Sequence, residues 1–320
     1  MLNETFVPTA TNFRVAPVYA DIEASILRTV AYADVFDYPL KAAEITRYLI
    51  GMPATLPEVL TALESGLVIS ELLRFSRGYY TLAGRENLMD LRLRREQTGE
   101  RRWKLARRYG KWIAALPFVR MVAVTGALAV DNEEGPDLDF LVVTSPGRVW
   151  LCRGMVMLLV HWARRYGDEI CPNYFLSESA LSLAEQTLYT AHEMAQMVPL
   201  SGMKIYQQMR ELNPWVAAFL PNATDAPVRM GTAVTHESGF SVTRRAMEAL
   251  LLTATGDWVE NWEMRRKVRK FSTQESPASE TDFCRDWCKG HFGGYGKKTR
   301  QAYHARLQRL GVAEEPWELG

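Results

Sequence analysis

The clearest pattern of hydrophobic and polar positions lies near the middle of the chain. Two apolar, β-branched runs, Met121–Thr125 and Leu138–Thr144, flank a polar connection that begins with Gly126. Runs of this length and composition predict two neighbouring β-strands. Since alternate residues of a strand point to the same side of a sheet, Asp137 and Asp139 are expected to present two carboxylates together at the mouth of that sheet.

The N-terminal part shows helical spacing followed by strand-like runs. Residues 1–20 are polar and are expected to form an extended arm. Three short helices and a β-hairpin follow, and a capping box between Thr55 and Glu58 opens the third helix. The predicted bounds are Asp21 to Tyr38, Lys41–Ile50 and Thr55 to Gly66 for the helices, and Leu67–Phe75 and Tyr79–Ala83 for the strands.

This order of elements, over residues 21–85, resembles a winged helix–turn–helix module. The modules of this type that read DNA present Arg, Lys, Asn or Gln from a recognition helix to the groove. Here the third helix carries Glu58 and Glu64 and no basic residue. Because carboxylates repel phosphates, sequence-specific duplex DNA is not expected as a partner. A packing or protein-contact role is expected instead.

Residues 86–117 are predicted to form one long connecting helix with a basic bias. Three aromatic residues, Trp103, Tyr109 and Trp112, lie among its charges. The basic residues of this stretch and its border are Arg85, Arg92, Arg94, Arg95, Arg101, Arg102, Lys104, Arg107, Arg108 and Lys111. Two interpretations remain open. The cations and rings suit an RNA or phosphate backbone, but a solvated helix whose aromatic residues pack on the next domain has the same pattern.

Residues 118–200 alternate between strand-like and helical spacing. A helix is predicted over Arg148–Tyr166, a third strand over Ile170–Leu176 and a further helix over Ser182–Val198. Residues 201–320 are expected to be mainly helical. The predicted helices there are Lys204–Leu212, Ser241–Ala254, Trp258–Phe271 and Thr299–Leu310. The expected fold class is therefore α/β in the α+β sense, with a small mixed sheet flanked by helices.

Composition and charge narrow the classes of protein. With 320 residues, of which 48% are hydrophobic, the chain is expected to be soluble and globular with more than one core. A net charge of +1 gives no global argument for nucleic acid or acidic lipid. Four scattered cysteines, no signal-peptide pattern and no membrane-spanning apolar run predict a reduced cytoplasmic location and no membrane partner.

Zinc-ligand residue types lie near the C-terminus, at Cys284, Cys288 and His291. Their spacing and the single nearby histidine fall short of a recognised zinc finger. No zinc site is expected, and the sequence assigns this cluster no role.

Asp137 and Asp139 are the candidate catalytic and metal-binding residues. Paired hard oxygen ligands at this spacing suit Mg²⁺, which usually binds through one or two carboxylates plus substrate phosphates. Gly126 follows the first strand and lets backbone amides approach a phosphate, because it has no Cβ.

The stretch beginning at Gly126 resembles the signature of the DNA polymerase beta-like nucleotidyltransferase superfamily. In that signature an apolar strand is followed by Gly-Ser, a spacer and Asp-apolar-Asp on the next strand. Ala127 stands here in place of the family's serine, which contacts a nucleotide phosphate. The resemblance implies that Gly126 and Ala127 bind the nucleotide, and that Asp137 and Asp139 hold the metal.

The resemblance also implies a third carboxylate on a later strand. Such a group helps to deprotonate the attacking hydroxyl and to hold a second metal. The candidate third positions are Asn173, in the predicted third strand, and Glu178, just beyond it. Because asparagine cannot take up a proton at neutral pH, no general base is assigned.

Two functions are expected from these features. The first is a Mg²⁺-dependent nucleotidyltransferase that moves an NMP from a nucleoside triphosphate, expected to be ATP, to an acceptor hydroxyl and releases pyrophosphate. The acceptor is a small molecule, a protein or an RNA end. The alternative is a catalytically degenerate nucleotidyltransferase-like protein that senses nucleotides or binds proteins, which Ala127 favours. Asp137 and Asp139 favour the enzyme, because two crowded carboxylates repel each other without a cation.

Overall fold

A mixed β-sheet between two layers of helices forms the centre of this α+β protein. The computed structural model describes residues 17–132, 135, 137–227, 241–272, 282–289 and 295–313. Its helices are α1 (Pro17–Asp34), α2 (Ala42–Arg47), α3 (Leu56–Ser65), α4 (Leu67–Leu72), α5 (Leu88–Ala114), α6 (Gly126–Ala129), α7 (Val149–Arg164), α8 (Leu188–Gln196), α9 (Met203–Glu211), α10 (Val216–Phe219), α11 (Ser241–Leu251), α12 (Ala254–Ser272) and α13 (Tyr295–Leu310). Its strands are β1 (Leu73–Ser76), β2 (Tyr79–Leu82), β3 (Val119–Val124), β4 (Asp137–Thr144), β5 (Glu169–Ser177), β6 (Val198–Ser201), β7 (Asp282–Phe283) and β8 (Trp287–Lys289).

Among the described residues, six strands form the central sheet in the order β6-β3-β4-β5-β8-β7. Strands β3 and β4 run antiparallel, whereas β4 and β5 run parallel. The region 201–320, expected to be mainly helical, also adds β8 and β7 to the edge beside β5. Strands of two and three residues are too short to show alternation, so the sequence pattern does not predict them.

The two faces of the sheet bury separate hydrophobic cores. Leu138 and Phe140 of β4 lie in one core with residues of α5 and α7. Leu141 and Val143 lie in the other, with residues of α8 and α9. Because side chains alternate along a strand, Asp139 belongs to the side of Leu141 and Val143.

The N-terminal elements have a third core of their own. The three predicted helices and the hairpin are present, but a fourth helix, α4, lies between α3 and the hairpin. Glu58 accepts a hydrogen bond from the Thr55 N–H at 2.7 Å, as the capping box predicts. The prediction of a strand over Leu67–Phe75 is wrong for its first part, which forms α4. Within α4, Ile69 and Leu72 pack on this core at the i, i+3 spacing of a helix, and this spacing outweighed the β-branched composition.

The prediction of an extended arm over residues 1–20 is wrong for residues 17–20. Helix α1 begins at Pro17 rather than at Asp21, and residues 1–16 lie outside the described residues. Proline at a first helical position is compatible with the helix, because its missing N–H would have no partner there.

The helix expected over Ser182–Val198 is shorter than predicted, because α8 begins only at Leu188. Thr187 is its N-cap and has an extended backbone, and its hydroxyl oxygen accepts from the Thr190 N–H at 3.2 Å. After α8 the chain enters β6, which pairs with β3.

Other long-element predictions are confirmed. The connecting helix over 86–117 is α5, the helix after β4 is α7, and the third strand is β5. Within the described ranges, no helix combines the length and apolar character needed to cross a lipid bilayer.

Candidate functional site

The two candidate carboxylates lie at the start of β4. Asp137 and Asp139 are two residues apart and therefore share one side of the sheet. Asp137 is exposed and Asp139 is half-buried. The parallel neighbour β5 sets Glu169 opposite Asp137 and Cys171 opposite Asp139. Local sequence spacing does not identify Glu169 or Cys171 as site residues, because it does not determine the register of a parallel strand pair.

Gly126 lies directly against the Asp139 carboxylate. Its φ of +66° is in the left-handed region that glycine adopts without strain. A Cβ at this position would collide with Asp139 Oδ2. The preceding Thr125 N–H donates to the Asp139 carbonyl at 3.1 Å, so β3 and β4 stay paired up to this point. Glycine is therefore required here by close approach as well as by φ, and Ala127 follows it in α6.

Asn173 is brought to Asp139 by an irregularity in β5. The register shifts by one residue between Phe140 and Leu141, and Asn173 has no ladder partner on β4. Its side-chain Nδ2 donates to Asp139 Oδ1 at 2.5 Å. The Cys171 thiol donates to Asn173 Oδ1 at 2.9 Å. The thiol, the amide and the carboxylate therefore form a directed chain of hydrogen bonds.

The pKa of Cys171 explains the direction of that chain. Burial and the charges of Asp139 and Asp137 raise the pKa of this thiol to about 12. Cys171 is therefore protonated at neutral pH and acts as the donor. Because its proton goes to Asn173 Oδ1, the amide turns its Nδ2 towards the carboxylate.

Glu178, the other candidate third position, lies at the opposite end of the sheet. Its backbone N–H donates to the Thr144 carbonyl at 2.8 Å, beyond the end of β5. From Cys171 to Glu178 the strand rises by roughly 23 Å at about 3.3 Å per residue. The structure therefore brings Asn173 to the Asp137 and Asp139 pair and does not bring Glu178 there.

A cavity of about 430 Å³ adjoins this cluster on the same side of the sheet. Thr125 and Asn173 form part of its wall. Helices α8 and α9 and strand β8 contribute apolar side chains to the lining: Met194, Met197, Met209 and Trp287. Its charged lining residues are Glu193 and the ion pair of Lys289 with Glu185. The cavity, with its apolar wall and few charged groups, therefore reaches the cluster through Thr125 and Asn173, and Asp137 and Asp139 are not among its lining residues.

Buried side chains of α5 hold the connection between α6 and β4. Arg92 donates to the Val130 carbonyl at 3.1 Å, and Arg95 donates to Asn132 Oδ1 at 2.7 Å. Both arginines and Trp103 are buried. For Arg92, Arg95 and Trp103 the packing interpretation of the basic helix holds. The two guanidinium groups bond the connection between α6 and β4, and all three side chains are buried away from any phosphate backbone.

No group of three or more His, Cys, Asp or Glu side chains suited to a metal occurs in the described part of the chain. His291 of the C-terminal cysteine cluster lies outside that part, and Cys288 is buried. No protein-family model, curated protein or solved structure matches the chain. The function is therefore argued from the chemistry of the carboxylate site.

Proposed function

We propose that the protein is a Mg²⁺-dependent nucleotidyltransferase that transfers an NMP from a nucleoside triphosphate to an acceptor hydroxyl. The observation that carries the proposal is the pair of Asp137 and Asp139 on one side of the sheet, with Gly126 against Asp139 and with Asn173 linking Asp139 to the cavity. Nucleoside triphosphates carry a hard, polyanionic chain, and two carboxylates attract such a chain only through a divalent cation.

The donor set fits Mg²⁺ with substrate as a co-ligand. Asp137 and Asp139 supply hard carboxylate oxygens, and Mg²⁺ commonly completes its six positions with phosphate oxygens and waters. Asn173 is engaged with Cys171 through its oxygen and with Asp139 through its nitrogen, so we assign it a positioning role. A bound cation would neutralise part of the negative charge of the phosphates.

The chain's own residues position the reacting groups. Gly126 is exposed at the start of α6, so its backbone is open to a phosphate, and its missing Cβ leaves the room that the Asp139 carboxylate occupies. Thr125 lines the cavity next to it, and its hydroxyl offers a phosphate the donor that Ala127 lacks. The acceptor hydroxyl oxygen attacks the α-phosphorus and its proton passes to water. A P–O bond forms to the acceptor, and the bond to the leaving pyrophosphate breaks. Positioning supplies most of the catalysis in reactions of this type.

Thermal unfolding with ligands tests the binding part of the proposal. ATP, GTP, CTP or UTP with Mg²⁺ is expected to stabilise the parent protein, by about 2.7 kcal/mol at a concentration of about 100 Kd. Asp137→Asn and Asp139→Asn should abolish this stabilisation, because they remove the cation's ligands and keep the side-chain size. Glu100→Gln, at an exposed carboxylate of α5, is the matched control and should respond like the parent.

Pyrophosphate release tests the transfer itself. Mg²⁺-dependent release that accompanies transfer of α-phosphate label to small-molecule, protein or RNA acceptors is the expected result. Triphosphate binding that survives Asp137→Asn and Asp139→Asn would contradict the assigned site.

A second candidate function is nucleotide sensing or protein binding by a catalytically degenerate domain. Its specific support is the Asn173 amide, which engages Asp139 where the resemblance implies a third carboxylate. Stabilisation by triphosphates without release of pyrophosphate would favour this candidate over the enzyme.

A further inference from the structure

Helix α11 faces the rest of the protein mainly through polar side chains, with Leu251 at its end packing against the core. Glu248 accepts a hydrogen bond from the Phe118 backbone N–H at 2.7 Å, and Arg244 donates to the Val119 carbonyl at 2.6 Å. Arg244 and Glu248 lie one helical turn apart and bond each other at 3.2 Å. These contacts fix which side of α11 faces the start of β3.

The opposite side of α11 is apolar and exposed. Val242, Ala246 and Leu250 recur every four residues, and at 100° per residue they centre on the side away from Glu248. Val242 is 79% exposed and Leu250 71%, and Leu252 just after the helix is 65% exposed. A surface helix ordinarily buries its apolar stripe. The reversed orientation therefore marks this stripe as an interaction surface.

Helix α12, which follows directly, exposes two tryptophans. Trp258 and Trp262 lie one turn apart, are 65% and 49% exposed, and stack with ring centroids 6.2 Å apart. The Arg266 guanidinium, a further turn along, lies over the Trp262 ring at 5.2 Å. Val259 and Val268 pack against the core on the other side of the helix. The tryptophans are thus on the outward side of α12.

The acidic side chains of the two helices are engaged with protein groups. Glu260 is buried and accepts two backbone N–H groups at the start of α7, at 3.0 and 2.6 Å. Glu263 is also buried, Glu248 bonds as described above, and Asp257 pairs with Arg148 at 2.7 Å. Negative charge is therefore neutralised or buried on both helices.

Positive charge remains on the solvent side. Arg245 of α11 and Arg265 of α12 are exposed, and Arg265 lies on the same side of its helix as the two tryptophans. The outward sides of α11 and α12 therefore combine aliphatic side chains, tryptophan rings and cations. An anionic partner with an apolar interior complements all three.

We propose that α11 and α12 form a contact surface for an anionic lipid bilayer, on which the protein lies without crossing it. Aliphatic side chains enter the boundary of the acyl chains, tryptophans favour the headgroup level, and arginines attract acidic headgroups. A nucleic acid could stack on the tryptophans and pair with the arginines, but it would leave the aliphatic side chains of Val242 and Leu250 exposed to water. The surface is separate from the carboxylate site. The proposal departs from the expectation of no membrane partner, because a surface contact needs neither a spanning segment nor a high net charge of the whole chain.

Sedimentation of the full chain with lipid vesicles tests this proposal. Binding is expected to vesicles of phosphatidylcholine mixed with phosphatidylglycerol, to be much weaker with phosphatidylcholine alone, and to decrease with salt. Leu250→Ser should lower the partition coefficient roughly tenfold through lost apolar burial. Arg265→Gln should lower it about fivefold through the lost charge. Both side chains are exposed, so the melting temperature should change little.

Matched controls come from the opposite side of the sheet. Leu212, at the end of α9, is 46% exposed, and Arg309 of α13 is also exposed. Both helices pack on the core that contains Leu141 and Val143. Leu212→Ser and Arg309→Gln should bind vesicles like the parent. Equal losses in these controls, or no binding to the anionic vesicles, would overturn the proposal. Tighter binding to a single-stranded oligonucleotide than to the anionic vesicles would also overturn it, as would a dimer of the parent protein that Leu250→Ser dissociates.

Discussion

The Asn173 side-chain amide donates a hydrogen bond to Asp139 Oδ1 at 2.5 Å, from the strand that runs parallel to β4. The Cys171 thiol fixes the orientation of that amide by donating to its oxygen. The amide is thus a neutral donor at the position where a third carboxylate would stand. It avoids the electrostatic repulsion that a carboxylate here would create, and in the proposed function it leaves the cation-binding charge to Asp137 and Asp139.

Replacing this donor by a third carboxylate gives the first prediction. In the absence of divalent cations, Asn173→Asp should destabilise the fold by about 1–2 kcal/mol, because a hydrogen bond becomes a like-charge contact. With Mg²⁺ the variant should gain more stability than the parent does, since a further carboxylate strengthens cation binding. Melting temperatures measured across a Mg²⁺ titration give both effects.

Asn173→Ala is the control for the added charge, because it removes the donor without introducing a carboxylate. Its response to Mg²⁺ should not exceed that of the parent. Identical Mg²⁺ responses of Asn173→Asp and Asn173→Ala would show that no cation binds beside Asp139.

The close approach of Gly126 to Asp139 gives the second prediction. Gly84 also has a positive φ, of +83°, but an added Cβ there meets nothing within 4 Å. Gly84→Ala should therefore cost only the conformational penalty, about 1 kcal/mol. Gly126→Ala should cost clearly more, about 2–3 kcal/mol, because its Cβ also displaces the Asp139 carboxylate. Urea unfolding of the two variants measures the difference.

The same pair of glycine variants separates stability from ligand binding. Gly126→Ala should also weaken stabilisation by Mg²⁺ and triphosphate, whereas Gly84→Ala should leave it unchanged. If both variants lost the same stability and kept the same ligand response, the contact between Gly126 and Asp139 would have no role in the site.

Arg92 of the basic helix gives the third prediction. Its side chain is 2% exposed and bonds Glu44 at 2.8 Å and Glu96 at 3.0 Å, besides the Val130 carbonyl. Arg92→Met should destabilise the protein by about 2–3 kcal/mol, because Glu44 and Glu96 lose charge-assisted hydrogen bonds. Glu96 keeps Lys41 and Tyr79 as partners, and Glu44 keeps the Tyr38 hydroxyl. The exposed Arg94 provides the control on the same helix, and Arg94→Met should change stability by less than about 0.5 kcal/mol.

Circular dichroism during urea unfolding gives the free energies of both arginine variants. A similar small loss for Arg92→Met and Arg94→Met would mean that the buried arginine contributes nothing to holding the connection after α6.

The strands of the candidate site follow from local pattern. Met121–Thr125 and Leu138–Thr144 were predicted as strands and correspond closely to β3 and β4. Two features allow the strands to be predicted: both runs are rich in β-branched residues, and a glycine and several acidic residues separate one run from the other. The shared side of Asp137 and Asp139 follows from the two-residue period alone.

The rest of the site depends on contacts between distant segments. The register that sets Cys171 opposite Asp139 and the irregularity at Asn173 arise from pairing of β4 with β5. The burial of Arg92 depends on Glu44, which lies 48 residues away along the chain. The sequence shows an arginine among other arginines, and only the packing of α2 against α5 distinguishes it from its exposed neighbours.

His192 of α8 is buried between helices and is the basis of the last prediction. Its ring stacks on Tyr32 of α1 with centroids 3.9 Å apart, and its Nδ1 pairs with the Leu188 carbonyl oxygen at 2.9 Å. Burial lowers the pKa of this imidazole from 6.5 to about 4. The folded protein therefore holds His192 neutral at a pH where the unfolded chain already protonates it.

Stability should accordingly fall as the pH falls. The contribution of His192 is fully present above about pH 6.5 and is lost progressively down to about pH 4, by up to about 3 kcal/mol. His192→Phe keeps an aromatic ring on Tyr32 and should flatten the curve of unfolding free energy over this window. His161 also pairs with a carbonyl four residues earlier, at 2.6 Å, but is exposed, so His161→Phe should keep the parent's slope. Parallel curves for the parent and His192→Phe between pH 4 and 6.5 would assign the acid sensitivity to other groups.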